Sequence, residues 1–108
     1  MKLARIGAIG QEKPAIIEGD EAILVDSLIP DWDRKSLTDG ALAKIAKADL
    51  SKLPRVSTNG VRFGAPVSQP SKIICVGLNY LAHIKEAGFD APAEPVVFMK
   101  SPDSLVGP

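Results

Sequence analysis

Apolar residues in this chain come in short runs punctuated by glycine, proline and acidic turn formers. Leu3 and Ile6 flank Ala4 and Arg5, an imperfect alternation. Gly7 and Gly10 discourage a long helix, so residues 2–8 predict an edge-type strand. Gln11 to Lys13 read as a turn. Pro14–Ile17 and Ala22–Val25 are extended runs on either side of Glu18-Gly19-Asp20, a strong turn signal. Short strands joined by tight turns predict an antiparallel meander. The loop Ser27–Arg34 holds the only tryptophan, Trp32, and reads as a packing anchor over a sheet end.

Helical spacing is clearest over residues 39–48. Thr38 is placed to cap the first turn, and Leu37 and Leu42 are placed as a hydrophobic staple. Leu42, Ile45 and Ala46 form the apolar side, with Lys44 and Lys47 facing out. Gly40 weakens the start by up to about 1 kcal/mol. A further turn through Asp49–Leu53 stops at Pro54. Arg55–Phe63 reads as extended, interrupted by Asn59-Gly60, a hairpin signal. Val61 and Phe63 then share a face. Ser68-Gln69-Pro70-Ser71 marks a domain boundary.

The last third has a different pattern. Ile73-Ile74-Cys75-Val76 is apolar at every position and predicts a central strand covered on both sides. It breaks at Gly77. Asn79 is placed to cap a helix from Tyr80 to Ala87, with Tyr80, Ile84 and Ala87 on one side. A Gly-, Ala- and Pro-rich turn leads to a second run, Val96-Val97-Phe98-Met99. Two strands do not make a covered sheet, so further sequence or a partner subunit is expected to supply a layer.

Basic and acidic residues number 13 each, giving a net charge of zero. No basic stripe exists to neutralise phosphates, so nucleic acid is not expected as a partner. Only 5% of residues are aromatic, which leaves few stacking platforms. The lone Cys75 lies in an apolar run, where burial makes a poor nucleophile, and its usage suits a reducing compartment. No apolar run approaches the roughly 18 residues of a membrane span, and the N-terminus lacks the core of a signal peptide. A cytoplasmic protein is expected, with no membrane partner.

Chemistry concentrates at His83 and Glu86. Three apart on a helix, their side chains can meet. Such a pair can be a surface ion pair, a dyad in which Glu86 orients His83 for proton transfer, or part of a metal site. Two ligands on one turn are too few for a closed site, and Glu-x-Glu, Cys-x-x-Cys and His-Glu-x-x-His patterns are absent. Asp90 and Glu94 read as ordinary surface charge. Neither Gly-x-Gly-x-x-Gly nor a lysine-bearing phosphate loop occurs, so no nucleotide cofactor is expected.

The phrase ICVGLNY, then His83-x-x-Glu86, EPVVFMK and LVGP, resembles the fumarylacetoacetate hydrolase family. MKLARIG, QEKPAI and RFGAPV resemble that family's small N-terminal region. Within it, the chain resembles bacterial members named ureidoglycolate lyases or 2-hydroxyhepta-2,4-diene-1,7-dioate isomerases. The resemblance implies an α+β chain. Residues 1–69 would be a small sheet-plus-helix domain, and 70–108 the first strands of a mixed β-roll catalytic domain that continues further. It implies a hydrolase, lyase or isomerase acting on a small 2-oxo acid or ureido acid, as a homodimer. His83 and Glu86 would be catalytic, activating water or shuttling a proton. Leu78 stands where other members carry arginine, so the resemblance does not extend to a shared carboxylate contact there. The family's Mg²⁺ or Mn²⁺ is held by a Glu-x-Glu pair and a later Asp. None of these is matched here, so the ligands are expected beyond residue 108 and none within the chain. The rival expectation is a truncated, non-catalytic folded fragment or a dimerising module.

Overall fold

Strand alternation builds the first sheet. In the computed structural model, which describes residues 1–108, β1 (Lys2–Ile6), β2 (Lys13–Glu18), β3 (Glu21–Leu24) and β4 (Arg55–Ser57) form an antiparallel sheet in sequence order. Leu3 pairs with Ile16, and Ile16 with Ile23; Ala4 pairs with Ala15, and Ala15 with Leu24. Because successive side chains point to opposite faces, these pairs sort into two layers. One layer joins Ile16 and Val25 to Ile29, Trp32, Ala41 and Ile45. The other gathers Ala4, Ile6, Ala15 and Ala22 beneath Val61 and Phe63. Trp32 is fully buried and donates its indole N–H to the Ala15 carbonyl at 3.2 Å. The predicted meander and the tryptophan anchor are both present.

Two local expectations are corrected. The helix expected over 39–48 is present as α2 (Ala41–Lys47), and a further short helix that was not expected, α1 (Arg34–Thr38), precedes it. Asp33 caps α1, its carboxylate accepting the Ser36 N–H at 2.7 Å. Thr38 instead donates its hydroxyl to the Arg34 carbonyl in the last turn of α1. Gly40 between them has φ 83°, a left-handed conformation that ends one helix and starts the next without a side-chain cap. Leu42 is 46% exposed, so it makes no staple; Leu37 packs on the core instead. One 3-10 turn, Leu50–Lys52, follows as expected.

The Asn59-Gly60 turn forms, with Gly60 at φ 73°, but it closes no hairpin. Residues after it cross to the opposite edge of the sheet. The Gly7 N–H donates to the Arg62 carbonyl at 3.0 Å, and the Gly64 N–H to the Arg5 carbonyl at 2.7 Å. Phe63 bridges Ile6. Val61 and Phe63 do share a face. The alanines at 4, 15 and 22 leave room for the crossing segment there, and burying its two apolar side chains favours this path over folding back on β4.

The chain divides into two compact units, Met1–Pro70 with Leu105–Pro108, and Ser71–Ser104. In the second, β5 (Ile73–Gly77) pairs antiparallel with β6 (Val96–Lys100) around α3 (Leu81–Glu86). Tyr80, not Asn79, occupies the N-cap of α3, and no side chain caps it. Ile84 is buried but Tyr80 is exposed, so they do not share a covered side. Gly88, at φ 72°, closes α3: its N–H bonds the Lys85 carbonyl and the Phe89 N–H bonds the Ile84 carbonyl, a Schellman motif. Within these residues β5 has one neighbour and is not covered on both sides. Cys75 is accordingly half-buried rather than buried. The architecture is α+β, two antiparallel sheets with a few short helices. No helix is long and apolar enough to cross a membrane.

Candidate active site

α3 carries both predicted site residues. At three residues' separation on a helix they lie on neighbouring turns, and His83 Nδ1 stands 4.0 Å from Glu86 Oε2. That exceeds hydrogen-bond length and becomes an ion contact only when the imidazole is protonated. The side chains are 64% and 84% exposed, so water screens the pair and it contributes little to stability. Catalytic hydrogen bonds in unliganded sites are commonly this long.

A cleft of about 560 Å³ lies against the same helix, lined by Val76, Gly77, Leu78, Leu81, Ile84 and the 91–95 loop. His83 and Glu86 are not among its walls. At about 100° per residue, Leu81 and Ile84 face one side of α3 and the dyad the other. Leu78, one of the lining residues of the cleft, has φ 48°, a conformation costly for a bulky residue. Sequence reasoning missed both features. Leucine gives no left-handed signal, and local pattern does not say that the 91–95 loop comes to lie with Val76–Ile84 around one cleft.

A metal does not fit the residues present. No group of three or more His, Cys, Asp or Glu side chains converges. Asp90 and Glu94 are exposed.

The most enclosed charges lie in the first unit and were not legible from spacing. Arg5 grips the Asp31 carboxylate with two hydrogen bonds, at 2.7 and 2.9 Å. Arg62 bonds Glu12 at 2.7 Å, and Arg5 approaches Glu12 at 3.8 Å. The Arg62 hydrogen bond, first, holds the Glu12 carboxyl below the usual range. Two arginines are matched by two carboxylates, so the cluster serves to pin the 62–65 segment and the Asp31 loop to β1.

Residues 72–108 match the family profile described as fumarylacetoacetate (FAA) hydrolase C-terminal. The whole chain is similar to curated proteins of Burkholderia named "Putative hydrolase". It is 45% identical over 109 residues to one from Burkholderia ambifaria (strain MC40-6), 100% of this chain and 38% of that protein. It is 44% identical to proteins of Burkholderia lata and Burkholderia multivorans, again covering 100% of this chain and 38% of theirs. The chain thus spans well under half the length of the curated relatives it matches.

Proposed function

We propose that these residues are part of a fumarylacetoacetate hydrolase-type enzyme, with His83 as its proton-transfer group and Glu86 orienting it. The observation that carries this reading is the Nδ1–Oε2 proximity of the two side chains inside the stretch that matches the family profile. A carboxylate beside Nδ1 favours the tautomer with its proton there and leaves Nε2 free. Nε2 accepts a proton from the water that attacks the substrate carbonyl, then returns it to the departing carbon or nitrogen. The substrate class is a small 2-oxo acid or ureido acid, and lyase or enol-isomerase chemistry uses the same proton carrier. Cytoplasmic location and a homodimer belong to the same reading. Any Mg²⁺ or Mn²⁺ site would be built from carboxylates outside residues 1–108, and no step here is routed through it.

A second reading is favoured by the exposure of the dyad and its separation from the cleft: these 108 residues by themselves form a folded, non-catalytic module. A chimera separates the two. This chain, continued by the remainder of the Burkholderia ambifaria relative, is assayed on 2-oxo and ureido acids with Mg²⁺ or Mn²⁺. His83→Ala is expected to lower kcat by about 10²- to 10⁴-fold, and Glu86→Gln by less, since the amide still orients the ring. A chimera in which His83→Ala turns over like the parent removes the dyad from the mechanism.

A further inference from the structure

Leu105–Pro108 belong to the first compact unit, although the second unit, Ser71–Ser104, lies between them and the rest of it along the chain. The second unit is therefore a loop with both ends held, at Pro70 and at Leu105. After β6 the chain is turned at Ser101, whose carbonyl accepts the Ser104 N–H at 3.0 Å and the Ser104 hydroxyl at 2.7 Å. Leu105–Pro108 then run beside the 62–65 segment. Side-chain burial does not hold them there, since Leu105 is exposed and Val106 is 76% exposed.

The hold is a close backbone approach at Gly107. A Cβ placed there would overlap the Phe63 carbonyl oxygen and lie 2.7 Å from the Gly64 Cα. Gly64 is pressed in turn by Glu12, whose Cγ would stand 2.7 Å from a Cβ on Gly64, and Arg62 fixes that carboxylate by a hydrogen bond. Two glycines thus let three segments stack at a distance that any side chain would forbid. A groove of about 390 Å³, lined by Arg5, Ile9, Glu12, Arg62, Ala65 and residues 105–108 themselves, leaves those residues room to lift. We propose that Leu105–Pro108 form a releasable strap, latched by Gly107, whose seating stabilises the β5–β6 pair by holding both ends of residues 71–104. A lone strand pair is marginal in water. When it opens, a chain tied at both ends gains less conformational entropy than one tied at a single end, so the seated strap favours the closed pair. The device goes beyond the proposed enzyme reading and needs no activity.

Nuclear Overhauser spectroscopy and amide exchange on the 108-residue chain test this. The parent is expected to show Overhauser contacts from the Gly107 α-protons to Phe63 and Gly64. Gly107→Ala should abolish them and speed amide exchange over residues 73–77 and 96–100 by about threefold or more, the entropic effect of freeing one end. Exchange over residues 13–18 should stay at the parent rate. Deletion of Leu105–Pro108 should reproduce the same pattern, so the outcome does not hang on how the alanine variant folds. Val106→Ala, at an exposed side chain, should leave both readouts unchanged. The strap is overturned by the absence of Gly107 contacts in the parent, by contacts that survive Gly107→Ala, or by unchanged exchange of β5 and β6 in the deletion. Faster exchange over residues 13–18 in both variants overturns it as well, since the segment would then belong to the first unit's core and not be releasable.

Discussion

Glu12 sits where two arginines meet, with its side chain largely enclosed and the Gly10 N–H donating to its second oxygen. Its carboxyl is held below the ordinary value of 4.5, first by the Arg62 hydrogen bond and then by its other partners. A carboxylate whose folded pKa is depressed stabilises the fold above its unfolded pKa. That contribution disappears as pH falls from about 4.5 through the lower folded value. Asp33 and Asp49, lowered chiefly by hydrogen bonds from Ser36 and Ser51, act in the same direction. Glu12→Gln keeps an acceptor for Arg62 and removes one titration. Urea midpoints at pH 7 and pH 3 should therefore fall less in the variant than in the parent. Equal losses would mean that the Glu12 charge is not coupled to folding.

Among the elements, the α1–α2 break is where propensity and tertiary structure disagree most sharply. A continuous helix through residue 40 makes Gly40→Ala stabilising by roughly 0.5–1 kcal/mol, since alanine loses less entropy on folding. The observed φ of 83° makes it destabilising by about 1–2 kcal/mol, the cost of left-handed backbone for an L-residue. No atom lies within 4 Å of an added Cβ there, so sterics do not confuse the sign. Chemical denaturation of the variant reads that sign directly. The break has a local cause, the Asp33 cap three residues before Ser36, and a long-range one, the burial of Ala41 and Ile45 against Trp32. The first is written in the sequence, at Asp33 rather than at Thr38. The second is not.

For the whole molecule, local stability should follow pairing and cover. β2 has a strand on each side and an apolar layer on each face, whereas β5 and β6 have only each other. Opening β2 exposes core on both faces, so its amides should exchange only near global unfolding. Hydrogen–deuterium exchange is expected to show residues 73–77 and 96–100 exchanging well before 13–18. Equal protection in the two sets would show that cover of the second pair is already in place.

What the residues determined by themselves is short-range. Gly19 between two extended runs makes the β2–β3 turn, Asp49 and Pro54 bound the 3-10 turn Leu50–Lys52, and a spacing of three puts His83 beside Glu86. These follow from backbone preference and helix geometry, which act over a few residues. Only the tertiary structure decided where the segment after Gly60 goes, because Asn-Gly chemistry makes the turn but not the choice of partner strand. Packing against the alanine row made that choice. Which side of α3 the cleft lies on, and that β5 has one neighbour only, were likewise decided by the tertiary structure. A run apolar at every position calls for cover on both faces, and local pattern carries no information about which chain provides it.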